Sequence, residues 1–486
     1  MKKSIIILAA LFYSANAFAA GKCESGDCNN GTGKYKFDDG VYEGEFKDAK
    51  LNGKGKYVYN DGRIYDGSWV DSVPTGKAVY TFKNGDIYDG SFIAGKMTGK
   101  GKITFKAGGK YEGDWVDGKR TGKGTLETKD GELYTGDFKD DVRNGKGEYT
   151  FKNGNKYSGD FANDKITGKG IITFKDGVTY EGDFVDGVRE GKGKLTAKEY
   201  TYEGDFKNNE MTGKGKQVRK DGNTYEGDWK NGLKEGTGKL INKDFTYEGE
   251  FKNDTMEGKG KYTTPQGTQE GTVKAGKFEG PGTFTAKNYV YTGNFTASKK
   301  DGQGKEVYND KSSYEGDWKN GAKTGKGKIT TADATYEGEV LDGARHGKGQ
   351  EVSATYTYEG EWKNNAINGA GKITTKVYTY EGSFVNGKKE GKGKETTAEY
   401  TYDGDWKNDK FNGTGIYVDK TDAAYQYEGN FKDGMFEGKG KLSLKNGDTF
   451  EGEFKKGIKD GPGKYTYKSG NVKEGEWKDG KYVKKE

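Results

Sequence analysis

Tyr42, Tyr65, Tyr88, Tyr111, Tyr134, Tyr157 and Tyr180 stand 23 residues apart. The phrase around them returns at Tyr202, Tyr225, Tyr247, Gln269, Tyr291, Tyr314, Tyr336, Tyr358, Tyr380, Tyr402, Tyr427, Phe450 and Lys473. That makes 20 units at spacings of 22 or 23, with one step of 25. A unit this short cannot enclose a core of its own, so each must bury its apolar surface against its neighbours. Composition agrees. With 33% of residues charged and 30% hydrophobic, the chain lacks the aliphatic mass for thick cores. With 35 Tyr and 84 Gly it is also unlike a disordered chain, which is depleted in aromatics.

Each unit holds two alternating runs. In Tyr42-Glu43-Gly44-Glu45-Phe46, strand geometry puts Tyr42, Gly44 and Phe46 on one face and the two Glu on the other. In the second run, Gly53, Gly55, Tyr57 and Tyr59 are expected on the ring face, with Lys54 and Lys56 opposite. Gly packs poorly in an ordinary strand. Beside rings it leaves bare backbone over which a ring can lie flat, so one face becomes dense without a second layer. On the other face, alternating Glu and Lys avoid like charges across the strands.

Two hairpin loops are expected. Most 23-residue steps carry Asp-Gly or Asn-Gly before the next Tyr, as at Asp61-Gly62, Asn84-Gly85 and Asp176-Gly177, with Gly at a positive-φ position. Most 22-residue steps lack that Gly, as at Lys198-Glu199 and Val377-Tyr378. The fold class is all-β: about 20 tandem hairpins in an elongated, single-layer antiparallel sheet, twisted or coiled. Strands of about five or six residues at roughly 4.8 Å spacing give an upper length of about 190 Å. A compact chain of this size has a radius of gyration of roughly 23 Å, so scattering distinguishes the two shapes.

The first residues stand outside the repeat. Lys2 and Lys3, the apolar run Ile5–Tyr13, and Ala17 and Ala19 read as a secretory signal peptide over residues 1–19. The apolar run is too short to span a bilayer, and no other segment crosses a membrane. The expectation is an exported bacterial protein, periplasmic, secreted or at the cell surface. Residues 20–41 form an N-terminal cap with half a repeat, and residues 42–486 the array. Cys23 and Cys28 are the only cysteines, and in an oxidising compartment they are expected to pair.

The tokens Tyr-Glu-Gly-Glu/Asp-Phe/Trp, Lys-Asn/Asp-Gly and Gly-Lys-Gly, with Ala344-Arg345-His346-Gly347, resemble MORN (membrane occupation and recognition nexus) repeats over about residues 31–477. The resemblance implies hairpins joined into a single-layer sheet. It also implies a scaffold or binding role, with protein partners and sometimes lipid headgroups. The unit at Gln269-Glu270-Gly271-Thr272-Val273, flanked by Pro265 and Pro281, departs from the phrase, so residues 262–284 are expected to be a weak joint. The 25-residue step implies a bulged loop near Thr421 to Ala424.

No residue set breaks the repeat in a way that suggests catalysis. His346 is the single histidine and lies in a repeat turn, so neither a triad nor a histidine metal site is available. Gly-x-Gly pairs such as Gly122-Lys123-Gly124 precede strands, whereas a phosphate loop needs a helix. No catalytic residue, cofactor or metal is expected. The 82 Lys+Arg and 76 Asp+Glu interleave and leave a net +6, which makes no basic stripe for nucleic acid. The expected function is a non-enzymatic scaffold whose aromatic/Gly face meets a protein partner in the cell envelope or outside the cell. Glycan or lipid-headgroup binding is the alternative. Trp318, Trp362 and Trp406, with Tyr314, Tyr358 and Tyr402, are the candidate partner-binding aromatics. Glu306, Glu351 and Glu395 take a ring position between them, where a partner is expected to supply what the strands lack.

Overall fold

The computed structural model describes residues 21–421, 423 and 425–483. The leader therefore lies outside the described residues, as do Asp422 and Ala424 of the expected bulged loop. The described residues form 42 strands and no helix. Contacts divide the chain into two units. The first runs to Lys243 and includes Phe251–Asp254, and the second comprises Asp244–Glu250 and everything from Thr255.

Within each unit the strands pair antiparallel in chain order, and close contacts run between successive strands, which leaves a single layer. The first four strands set the pattern: β1 (Gly21–Gly26), β2 (Thr32–Phe37), β3 (Gly40–Lys47) and β4 (Lys50–Tyr59). The strands are longer than expected, six to ten residues apart from a final one of three. The extra length comes from the tight turn joining the two runs. Its two central residues both have positive φ, as at Asp48 (49°) and Ala49 (52°), or Asn320 (51°) and Gly321 (92°). This is the twist that a two-residue hairpin requires, and the frequent Asn, Asp and Gly there accept it readily.

The two expected loop types are both present between repeats. In the longer one, Phe174 N–H donates to Val178 O at 2.8 Å and Gly177 N–H to Phe174 O at 2.9 Å, with φ of 88° at Gly177. In several of the shorter ones a hydroxyl takes over the role of the Gly. Thr375 Oγ1 accepts from Val377 N–H at 3.1 Å and Tyr378 N–H at 2.9 Å. Thr397 does the same for Glu399 and Tyr400.

One facial assignment is corrected. Gly53 is not on the ring face. The ladder shifts register between Gly44 and Phe46, because β4 carries two more residues there than β3. Gly53 sits in this bulge with φ of 66°, and a Cβ on it would collide with the Glu45 carboxylate on the charged face. The bulge has a use: the carboxylate accepts the orphaned N–H of Lys54 at 3.1 Å.

Candidate functional site: the ring face

The core is a ring laid over a pair of glycines. Gly44 and Gly55 face each other across β3 and β4, and the Tyr42 ring covers both. A Cβ on Gly55 would lie 2.0 Å from the Tyr42 hydroxyl oxygen, and one on Gly44 2.5 Å from it. The hydroxyl donates to Glu45 O at 3.0 Å. The arrangement recurs in both units, as at Tyr111 with Asp114 O (3.1 Å) and Tyr358 with Glu361 O (3.0 Å). Most such Tyr are also wedged edge-on between two rings, whereas Tyr314 has Trp318 alone because Val340 takes the next ring position. Tyr111 lies 5.3 Å from Trp115 and 5.0 Å from the next repeat's Phe138, at 84° and 81°. Tyr358 stands likewise between Trp362 and Phe384. These T-shaped contacts suit the ring quadrupoles. They explain how a single layer leaves Tyr42, Tyr111 and Tyr358 with 0% exposure. Burial pushes the hydroxyls up, to about 12 at Tyr180 and Tyr358.

Tyr314, Tyr358 and Tyr402 are three of these lids, and Trp318, Trp362 and Trp406 three of the flanking rings. Each Trp Nε1–H donates to a glycine carbonyl of the preceding strand: Gly304 at 3.3 Å, Gly349 at 3.3 Å and Gly393 at 2.9 Å. None of the six is more than 4% exposed. Packing and hydrogen bonding thus use all six, and what lies over them forms the surface.

Two positions make that surface, and sequence reading passed over both. The first is the residue five after each Phe or Trp, which the tight turn brings opposite the ring, as Leu51 opposite Phe46 and Arg120 opposite Trp115. In the first unit this place is apolar in several repeats, as at Met97 and Ile166, and holds a cation at Arg120, Arg143, Arg189 and Lys234. The Arg120 guanidinium lies over Tyr111 (5.4 Å) and Phe138 (5.3 Å), and its Nε–H donates to Asp141, a turn residue of the next repeat, at 3.3 Å. In the second unit the place holds Lys300, Lys323, Arg345 and Lys389. Lys300 lies 4.4 Å from the Tyr289 ring and 4.6 Å from Trp318, Arg345 4.4 Å from Trp362, and Lys389 4.7 Å from Trp406.

These cations correct the expectation for Glu306, Glu351 and Glu395. No partner is needed to complete those strands, because the three carboxylates are buried and already paired. Glu306 takes Lys323 Nζ at 2.7 Å and also pairs with Lys300 and the Tyr308 hydroxyl. Glu351 pairs with Arg345 and Tyr356. Glu395 pairs with Lys389 and accepts from the Tyr400 hydroxyl at 2.5 Å. Burial alone would raise the Glu306 carboxyl, but hydrogen bonds from Lys300, Lys323 and Tyr308 hold it below its ordinary value. Burial pulls Lys300 down.

The second position lies two residues before the lid. The short loop places an aromatic there at Tyr289, Tyr356, Tyr378 and Tyr400, and the 25-residue step does so at Tyr425, all half-buried. The signal was legible in Tyr-x-Tyr, as in Tyr378-Thr379-Tyr380, which occurs mainly in 22-residue steps.

The opposite face carries the expected alternation of charge. Lys100, Lys123, Lys146, Lys169, Lys192 and Lys214 each bridge to an Asp of the following strand at 2.6–2.7 Å. Ser68 and Ser91 stand where the first two such carboxylates would be, opposite Lys54 and Lys77. Val58, Val70, Val79, Ile87 and Ile93 are exposed around that gap. Among the described residues, no group of His, Cys, Asp and Glu converges as a metal ligand set. No helix there is long and apolar enough to cross a membrane.

Comparison with solved structures gives remote matches. The TCP domain of Drosophila melanogaster SAS-4 (dCPAP), in complex with a proline-rich motif of Ana2, is 18% identical over 30% of this chain and 79% of that one, with a TM-score of 0.21. A mutant TCP10 domain of Danio rerio CPAP is 14% identical over 38% and 92%, with a TM-score of 0.22. Streptogramin B lyase is 14% identical over 60% and 87%, with a TM-score of 0.10. Comparison with curated proteins gives no match. The profile of the family described as MORN repeat matches 20 tandem segments, beginning 42–62, 65–87 and 88–110 and ending 450–472 and 474–483. With the lid, the glycine pair and the hairpin recurring at that period, the chain belongs to the MORN repeat family.

Proposed function

We propose that this chain is a non-enzymatic repeat scaffold whose ring face meets a protein partner in the cell envelope or outside the cell. Family membership supports the binding role. The observation that carries the partner class is the row of half-buried Tyr356, Tyr378, Tyr400 and Tyr425, flanked by Arg345 and Lys389. Tyr and Arg over a well-packed base are the residue types that dominate protein–protein hot spots. The contact surface is therefore the tyrosines and cations above Trp362 and Trp406, with those Trp as their foundation.

The test is capture from envelope extract by the full chain and by a Tyr378→Ala/Tyr425→Ala variant, alongside binding to glycans and to anionic liposomes. These two hydroxyls hold no buried carboxylate, so the fold should survive, as circular dichroism checks. A specific protein retained by the wild type and weakened at least about tenfold by the variant is expected, the scale of one hot-spot residue. Saturable glycan or liposome binding with no protein retained would replace this reading by the glycan or headgroup alternative.

A further inference from the structure

The N-terminal loop reproduces a repeat in miniature. Cys23 faces Tyr35 across β1 and β2, the place that Tyr42 takes opposite Tyr57 in the first full repeat. Cys23 and Cys28 are joined in a disulfide. A Cβ on Gly33 would lie 2.8 Å from Cys28 Sγ, so sulfur covers this glycine where a Tyr hydroxyl covers Gly55. The loop also holds the tip of the β3–β4 hairpin. Ala49 N–H donates to Asn29 O at 3.0 Å, as Ser72 N–H donates to Leu51 O one repeat on. Asp48 N–H donates to Asn30 Oδ1 at 2.9 Å, the role that Glu190 Oε2 has for Asn208 N–H. Asp27 Oδ1 in turn fixes Asn29 N–H at 2.8 Å. Three functions that a repeat spreads over two strands are thus gathered between Cys23 and Asn30 and closed by one covalent bond.

We propose that the Cys23–Cys28 loop is a redox-operated cap, and that opening it frees the outer edge of β2 to pair with β2 of a second copy. The opening reaction is thiol–disulfide exchange with a dithiol reductant. One reductant thiolate attacks a cystine sulfur and the S–S bond breaks. The second reductant thiol then closes the reductant's own disulfide. Two electrons and two protons end on Cys23 and Cys28 as thiols, and the reductant leaves oxidised. Without the bond, nothing covalent holds sulfur over Gly33, and β1 is exposed along its whole length, unlike β2. An uncovered β2 presents a row of unpaired N–H and C=O groups, a template for another strand. Two identical β2 edges pair antiparallel about a two-fold axis, which closes at a dimer and does not propagate.

The test uses the full chain, oxidised, reduced with a dithiol, and as Cys23→Ser/Cys28→Ser. Hydrogen exchange reads local opening and sedimentation reads mass. Reduction should lower protection at Thr32–Phe37 and at Asp48 and Ala49 by about 40-fold, the loop-closure effect for so short a loop, with other repeats unchanged. The sedimenting mass should double and return on reoxidation, and the double variant should behave as the reduced chain. Unchanged protection at β2 overturns the cap. Lost protection at constant mass overturns the pairing of copies. Asn30→Ala keeps the disulfide and should keep the oxidised mass, and doubling there would move control from the disulfide to the turn brace and also overturn the proposal.

Discussion

The repeat around Tyr111 in the first unit and the repeat around Tyr358 in the second share one lid and treat the charge beside it differently. Both lay a Tyr over a Gly pair, bond its hydroxyl to the carbonyl three residues on, and wedge the ring between two aromatics. At Tyr111, the covering cation Arg120 reaches outward to a turn carboxylate, Asp141, and the inner ring position is apolar Leu126. Beside Tyr358, Arg345 of the preceding repeat turns inward to Glu351, which has taken that repeat's ring position. The lid is the same in both because ring and bare backbone leave no spare volume. The two positions above it vary, but as a couple: where the inner one becomes Glu, the covering residue is Lys or Arg and a Tyr hydroxyl completes it.

The largest effect should come from breaking what the two regions share. Gly124→Ala in the first unit and Gly371→Ala in the second each drive a methyl into the lid, to 2.4 Å from Tyr111 and 2.2 Å from Tyr358. Each is expected to destabilise its unit by about 3 kcal/mol, the upper range of overpacking. Denaturant unfolding followed by hydrogen exchange assigns the loss to a unit, and a mild effect in one alone would mean that the lid is not the common element.

Next comes what they do not share. Glu306→Gln leaves Lys300 and Lys323 without a carboxylate over half-buried rings and should cost about 3 kcal/mol. Lys300→Met/Glu306→Ile writes the first unit's Met97–Ile103 pairing into the second, still leaves Lys323 without its carboxylate, and should recover part of that loss. If single and double variants lose the same stability, the coupling is absent.

Acid should separate the units further. The folded carboxyl of Glu306 lies below its ordinary 4.5, so its contribution is present above that value and fades as pH falls through the depressed one. Protection in residues 300–323 should fall with pH below about 4.5, and Glu306→Gln should abolish that dependence locally. An unchanged acid profile in the variant would assign the sensitivity elsewhere.

The smallest effect tests the repeat that lacks a lid. Gln269 replaces Tyr, is buried, and leaves its Nε2 without a hydrogen-bond partner. No lid of its own repeat covers Gly271, where a Cβ would meet Pro281 O at 3.1 Å and the Phe278 ring at 3.5 Å. Gln269→Tyr should gain about 1 kcal/mol from an added edge-on contact with Phe295. A neutral result would remove residues 262–284 from consideration as a weak joint.

Much of the fold is legible in the sequence. Period, two-face alternation, the ring-over-glycine principle and the two loops follow from residues within one unit, because strand alternation and turn chemistry act over a few positions. The position of Gly53 was not legible, since a bulge is a property of two paired strands and re-aims the residue that sits in it. Nor was the surface. Leu51, Arg120 and Lys300 read as turn-flanking residues until the positive-φ pair folds them back over the rings. Glu306, Glu351 and Glu395 read as vacancies until those cations arrive. The chain by itself determined that rings and glycines share a face. Tertiary structure decided which rings are sealed and which side chains cover them, because sealing depends on register across strands that one repeat cannot specify alone.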